Sequence, residues 1–402
     1  MVYVQDIDGK PMMPTTRHGK VRRLLKANKA TVVNLCPFTI QLTYKSTDHK
    51  QPVTLGIDAG AKHIGFSATT EKEELFACET ILRTDIVDLL STRSQNRRTR
   101  RSRLRYRKPK FNNRVFSKKK GWVAPSVKQR IDSHLNEVNE IHKILPITKI
   151  VIEAAQFDTH KMKNPNISGI DYQNGEQLGF WNVREYVLFR DGHKCSYCKG
   201  KSKDLILNIH HIESRKTGGD SPSNLITLCE TCHKEYHKGN IDLKVRRGKS
   251  LCGAAIMGIM KWRLYDELKS RYSNVSMTFG YITKYNRIKY GIEKSHTSDA
   301  FVISKNFNAK RIEYQYLKRL VRRHNRQIHK MKILKGGKKK NNQAPFEVFG
   351  FRLFDKVLYN NEINFIYGRR KSGNFNIRDF NGENPKDVSY KKLKLIRGKR
   401  HP

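Results

Sequence analysis

Three apolar runs follow one another early in the chain, Val53–Asp58, Ile64–Thr70 and Leu75–Ile81, with Gly56, Gly60 and Gly65 at the tight places. Short runs bounded in this way predict successive strands, here an antiparallel meander feeding a larger sheet. Before them, Val21, Leu24 and Leu25 fit one face of a helix that Thr15 or Thr16 can cap and that should end near Asn28. Thr31–Val33 and Phe38–Tyr44 read as strands, so residues 1–51 form a small α/β unit. After the meander, Pro125 and Ser126 open an amphipathic helix whose Val127, Ile131, Leu135, Val138, Ile141 and Leu145 make a buried stripe. Lys149–Ala155 is a short apolar run with one carboxylate, Glu153. Further on, Val275–Thr283 predicts a strand and His296–Ser304 a helix. Residues 346–395 alternate Phe, Val, Leu and Ile with turn signals at Asn360-Asn361 and Ser372-Gly373, which predicts a small β-rich terminal domain. The chain shows no internal repeat.

Charge changes this picture. The 402 residues carry 81 Lys and Arg against 36 Asp and Glu, a net +45. A self-repelling surface of that size calls for a polyanion, and nucleic acid gains affinity from the counterions it releases. Charge alone favours a ribosomal or chromatin-like binder with no chemistry. The charge is also localised. Residues 93–120 hold fourteen basic residues and no acid, with Arg97, Arg98, Arg100, Arg101, Arg103, Arg105 and Arg107 at the centre. A helix over 93–107 would be about 22 Å long and would have arginines on every face, so it suits a place between phosphate backbones rather than a core. A second basic stretch, 310–340, has thirteen basic residues against Glu313 and includes Arg322, Arg323 and Arg326. No run of about 18 apolar residues is present, and the first eight residues do not form a secretory signal. The expectation is a cytoplasmic protein with no membrane partner.

Four of the seven cysteines form two pairs, Cys195-x-x-Cys198 and Cys229-x-x-Cys232, with 30 residues between them. Tetrahedral zinc takes four thiolates, and each pair presents two of them on one side, so the spacing predicts a structural Zn²⁺. The segment is short and polar, and metal binding should supply much of its folding energy, on the order of 10 kcal/mol. Cys36, Cys78 and Cys252 are isolated and expected to pack.

His210, His211, Asn224, His233 and His237 stand between and just after the cysteine pairs. In this order the segment resembles the HNH endonuclease family, whose fold is a ββα-metal unit. The resemblance implies that His211 is the general base, that His210 and His233 hold a divalent ion on the scissile phosphate, and that Asn224 orients the loop carrying the base. His237, one helical turn after His233, is a weaker ligand candidate.

Asp58 ends one apolar strand and Glu153 sits at the end of another apolar run; His296 and Asp299 lie at i and i+3 of one helix. A carboxylate ending an apolar strand needs a partner to offset its desolvation. Magnesium or manganese would justify three that converge. The set resembles the three split motifs of a RuvC nuclease, an RNase H-like fold: Asp58-Ala59-Gly60 with Ile64-Gly65, then Ile152-Glu153, then His296-Thr297-Ser298-Asp299-Ala300. Ala59 stands where that family usually has proline. The resemblance implies that Asp58, Glu153 and Asp299 hold two Mg²⁺ or Mn²⁺ ions and that His296 helps activate water.

The order of these parts, with Pro11-Met12-Met13-Pro14 ahead of them, resembles the IscB family of transposon-associated RNA-guided DNA nucleases. The fold class this implies is α/β multidomain, an RNase H-like RuvC core with an inserted HNH domain. Its expected parts are an N-terminal domain at 1–51, RuvC segments at 52–92, 121–177 and 246–308, a bridge helix and linker at 93–120, the HNH domain at 178–245 and a basic C-terminal domain at 309–402. The implied partners are a guide RNA of the omega type and a double-stranded DNA target, in a monomeric ribonucleoprotein; the implied setting is prokaryotic and nucleoid-associated. By family analogy the HNH site cuts the guide-paired strand and the RuvC site the displaced one. The rival expectations are a protein-only nuclease, homing or junction-resolving, and a non-cleaving RNA-guided regulator.

Overall fold

The computed structural model describes residues 1–47, 49–104, 121–154, 158–214, 219–245, 251–322, 332–333, 339–340 and 345–397. The chain divides into two compact units, Met1–Ala155 with Ile259–Pro402, and Gln156–Gly258. In chain order the elements begin with β1 (Tyr3–Gln5), α1 (His18–Lys26), β2 (Ala30–Leu35), β3 (Phe38–Leu42), β4 (Thr54–Ala59), β5 (His63–Thr69) and β6 (Glu74–Ile81). Then come α2 (Ile86–Leu104), α3 (Pro125–His142), β7 (Lys149–Glu153), α4 (Thr159–Lys163), α5 (Val183–Arg190), β8 (Leu207–His211), β9 (Leu225–Cys229) and α6 (Glu230–Lys238). They are followed by α7 (Cys252–Arg271), β10 (Val275–Thr278), α8 (Gly280–Lys289), α9 (His296–Ser304) and β11 (Tyr316–Arg319). Toward the C-terminus lie β12 (Lys356–Tyr359), β13 (Glu362–Arg369), β14 (Asn374–Arg378), β15 (Lys386–Ser389) and β16 (Lys394–Arg397). Among the described residues no helix is long and apolar enough to cross a membrane.

The first unit is organised around a six-stranded sheet in the order β10-β7-β4-β5-β6-β11. The antiparallel meander β4-β5-β6 forms as its sequence pattern predicts. β7 joins β4 in parallel, β10 joins β7 in parallel, and β11 joins β6 in parallel. β5 is buried from Ile64 to Thr69 and β6 from Glu74 to Cys78, because helices cover the sheet. α9 lies closest. A Cβ at Gly56 would collide with the carbonyl of Ala300, and one at Gly65 with the carbonyl of His296. Both clashes are with backbone, so no rotamer change relieves them. Thr69 donates to Ser304 at 2.9 Å, and Arg311 donates to Ser298 at 2.9 Å, which fixes the helix at two further points. Gly65→Ala should therefore destabilise the unit by roughly 1–3 kcal/mol, the usual cost of overpacking. Thermal unfolding checks it, and an unchanged midpoint would mean that α9 does not depend on this close approach.

Around this sheet sit two smaller ones. β1, β3 and β2 form a three-stranded sheet whose core is Val2, Val21, Ala30, Ile40 and Leu42, with Met12, Leu24 and Leu25 packed against it. Tyr3 ties it to the central sheet by donating to the Leu75 carbonyl at 3.0 Å. The terminal strands pair in the order β15-β14-β13-β12-β16 over Val357, Ile366, Phe375 and Ile377. Asn360 and Asn361 both have positive φ, 49° and 60°, as a two-residue hairpin requires.

Several expectations from the sequence need correction. Neither Thr15 nor Thr16 caps α1; its N-cap is Arg17. Thr15 is instead bridged to Val2 through its backbone. The arginine-rich helix begins at Ile86 rather than at 93, after an Arg83–Asp85 ion pair at 2.9 Å. Val275–Thr283 is not one strand. β10 stops at Thr278, paired with Glu153, where its partner strand ends, and a helix starts at Gly280. Within the segment assigned from the sequence to the C-terminal domain, β11 is the outer strand of this sheet, and Lys318 pairs with Glu137 at 2.8 Å. Cys36 is exposed, while Cys78 packs as expected.

Candidate functional site

The first unit gathers four of the expected residues at one end of its sheet. Ile57 pairs with Ile152, so Asp58 and Glu153 end neighbouring parallel strands on the same face. Ser295 caps α9 by accepting from the Ser298 backbone at 3.0 Å, which puts His296 and Asp299 in its first turn. His296 Nδ1 lies 2.7 Å from Asp58 Oδ2. Arg287 of α8 pairs with Asp299 at 3.1 Å.

The charge of Asp58 reaches both of the other carboxylates. Burial raises the pKa of Glu153, and the charges of Asp58 and Asp299 raise it further. Burial and then Asp58 raise that of Asp299, against the pull of Arg287. His296 is shifted up by its hydrogen bond to Asp58, with burial opposing. Like charges that penalise one another suit a hard divalent cation with oxygen ligands, though the three carboxylates do not come within 4.8 Å of one another as the cysteine and histidine groups of the second unit do.

The second unit is built from β8, β9 and α6. The two strands pair antiparallel from Leu207–Cys229 to His211–Leu225. α5 is fixed behind them: Asn182 caps it at 3.0 Å, and Arg190 donates to the carbonyls of Pro222 and Leu225 at 2.7 and 2.9 Å. Gly239 ends α6 at φ 83°, a conformation that costs glycine little. The core is small: Cys195, Ile226, Leu228, Cys229 and Cys232, with Leu207, Ile212, Ile241 and Leu243 against it.

Cys195, Cys198, Cys229 and Cys232 converge, with the ligand atoms all within 4.8 Å of one another. Cys198 and Cys229 sulfurs are 3.8 Å apart. Two sulfurs on a tetrahedral zinc, each at 2.3 Å, would be separated by about 3.8 Å. Burial opposes ionising Cys198, but hydrogen bonds from Ser202 and Gly200 outweigh it and bring the thiol to about 6. Burial and the neighbouring sulfurs push Cys232 upward. The donor set fits zinc.

His210, His233 and His237 form a second group of the same kind. The Nε2 atoms of His233 and His237 face each other at 3.3 Å, close to the ~3.4 Å that two imidazoles on one tetrahedral ion would show. The Nε2 of His210 is buried with no hydrogen-bond partner. Burial, with His233 and His237 nearby, lowers the His210 pKa to about 4, so the ring is neutral at pH 7 and keeps a lone pair for a cation. His237 belongs to this group as closely as His233 does. Its i+4 spacing was the available signal.

His211 points away from that group and meets Asp220 at 3.0 Å through Nε2. Asn224 is fully buried; its carbonyl accepts from the Glu213 backbone at 2.9 Å, and its amide donates to the carbonyls of Glu213 at 3.0 Å and Gly219 at 2.9 Å. It closes the connection between the two strands. Asp220 was missed in the sequence, although it follows Gly219 and stands nine residues after His211. Also missed were Arg287 and the pair His63–Glu79, for which no local pattern exists.

Of the arginines proposed to grip nucleic acid, Arg97 lies exposed on α2. The side chains of Arg98, Arg100, Arg101 and Arg103, and the whole of Arg105, Arg107, Arg323 and Arg326, lie outside the described residues. Arg322 is half-buried, and burial lowers its pKa.

Residues 2–175 match the model of a family described as RRXRR protein, and residues 195–239 match that of the HNH endonuclease family. Anaredoxin of Nostoc sp. is 29% identical over 66 residues, which is 16% of this chain and 84% of that protein. A Streptococcus thermophilus Cas9 solved with the AGAA PAM aligns over 46% of this chain and 26% of its own, at 15% identity and a TM-score of 0.31. The Type II-C Cas9 enzyme from Actinomyces naeslundii aligns over 64% of this chain and 60% of its own, at 12% identity and a TM-score of 0.26. This chain thus spans about a quarter of the length of the Streptococcus protein it matches.

Proposed function

We propose that this chain, an IscB-like protein with an HNH endonuclease domain, is an RNA-guided DNA endonuclease that cuts both strands of a target duplex. One observation carries the reading: along the chain the HNH segment is inserted between β7 and β10, two neighbouring strands of a sheet that presents its own carboxylates. Two chemically distinct sites in one chain suit the two strands of a duplex. We read the six-stranded sheet as a RuvC core of the RNase H-like kind, divided in sequence by the bridge helix and the HNH domain. The domain limits expected from the sequence belong to this proposal.

At the HNH site His211 takes the proton of the attacking water. Asp220, as acceptor of the Nε2 hydrogen, leaves Nδ1 free for it and fixes the ring. Asn224 holds the loop in place. His210, His233 and His237 would hold a divalent cation there. At the RuvC site Asp58, Glu153 and Asp299 would hold two such ions, and His296 assists proton removal. Magnesium or manganese would stabilise the charge that develops on the phosphate and leaving oxygen. The HNH site is assigned to the guide-paired strand and the RuvC site to the displaced strand.

The arginine-rich helix and the net charge of +45 support an RNA partner, with base pairing rather than side chains reading the target. The protein purified from its source should accordingly carry one discrete RNA species, recoverable and sequenceable. RNA-free protein that cuts branched or specific duplex DNA on its own would favour the protein-only nuclease instead.

A further inference from the structure

The face of the sheet that carries Asp58 also carries a second carboxylate–imidazole pair. Asp58 on β4, Gly65 on β5 and Glu79 on β6 stand directly opposite one another in the register. His63 lies two residues before Gly65, so it shares their face. Its Nδ1 is 2.8 Å from Glu79 Oε1. Its ring stacks on that of His296, with centroids 5.1 Å apart and planes 6° from parallel. Four side chains thus form one row: Asp58, His296, His63 and Glu79. Gly65 makes the row possible, because its missing side chain admits the first turn of α9 between the two carboxylates.

We propose that His63, held by Glu79, is a positioning residue that fixes the ring plane of His296. His296 is half-exposed, and its hydrogen bond to Asp58 anchors a single ring atom. Rotation about that contact would leave the bond intact while displacing Nε2, the other ring nitrogen. A parallel ring on one side blocks the rotation. His63 can do this only if its own ring is fixed, and the Glu79 carboxylate fixes it. The ligand atoms of His63, Glu79 and His296 also come within 4.8 Å of one another, which raises the alternative of a shared ion. Stacked rings do not favour it, since their in-plane lone pairs run side by side rather than toward one point. The inference rests on the reading of the carboxylate cluster as a nuclease site.

The test follows each strand separately in single-turnover cleavage by the complete protein–RNA complex with Mg²⁺. His63→Ala should slow the cut made by the carboxylate site by about 10–100-fold, the usual loss for a partner that orients a catalytic group. The HNH cut should be unchanged, which also reports that the complex is intact. Glu79→Gln keeps an acceptor for the His63 hydrogen and should retain most of the rate, whereas Glu79→Leu should fall to the level of His63→Ala. Adding His63→Ala to His296→Ala should cost nothing more, because a positioning residue acts only through the ring it positions. A full further loss in the double variant, or an unchanged rate in His63→Ala, would overturn the inference while leaving the site standing. A normal displaced-strand cut in His296→Ala would remove the reading of the site, and this inference with it.

Discussion

Alanine at both Asp58 and His211 should abolish cleavage of both strands and leave DNA binding largely intact. Either change alone should leave an enzyme that nicks. The expectation follows from two sites with separate chemistry. Asp58 stands beside Glu153 near the end of its strand and accepts the hydrogen bond from His296, so on the proposed reading its loss removes an oxygen ligand from the carboxylate site. His211, on β8 and held by Asp220, is the general base of the proposed HNH site. Removing a general base costs about 10²–10⁴ in rate, which is enough to turn a cut into a nick on the time scale of an assay. Neither residue belongs to a hydrophobic core cluster, so the fold should survive. The check is a duplex labelled differently on each strand. Loss of both cuts in a single variant would mean that one site serves both strands, and cutting by the double variant would mean that neither assignment is right.

Removing the metal from the four cysteines should unfold the second unit. Three of those cysteines are buried, and among the described residues they share their core cluster with only two other buried apolar residues, Ile226 and Leu228; a few more, Val187, Leu188 and Leu225 among them, are buried elsewhere in the unit. A core of that size cannot offset the chain entropy of the unit by burial alone. Metal binding in such units supplies on the order of 10 kcal/mol, so chelation or Cys229→Ser should abolish the folded state rather than merely weaken it. Metal analysis should find about one zinc per chain in the native protein and nearly none in the variant. The HNH cut should vanish and the amides of β8, β9 and α6 should lose protection from hydrogen exchange. A variant that keeps those amides protected without zinc would show that the cysteines only pack.

The two units differed in how much could be read in advance. The cysteines and histidines of the second unit fall within about 45 positions, and the spacing along the chain carries the geometry almost directly. What escaped there was relational: Asp220 meets His211 only when the loop between the strands closes, and His237 gains its standing from facing His233 across one helical turn. In the first unit, Asp58 and Glu153 could be singled out as carboxylates ending apolar runs. That they end neighbouring strands depends on which strands pair, and 95 residues separate them. His63 and Glu79 gave no signal at all. An exposed-looking histidine and a glutamate sixteen residues apart acquire meaning only through the register of β5 against β6 and the space at Gly65. The strand predicted over 275–283 failed for a similar reason. Val275, Met277 and Phe279 alternate with Ser276 and Thr278 as a strand would, but the paired register with β7 ends at Thr278 and Glu153, and the chain turns into a helix that brings Arg287 to Asp299.

The proposal that RNA directs two strand-specific sites is tested most directly on a duplex carrying a match to the RNA that co-purifies. Both strands are labelled, and the RNA is supplied, withheld or replaced by an unmatched sequence. Both strands should be cut with the matching RNA and neither strand without it. Equal cutting in the absence of RNA, or with the unmatched one, would contradict it.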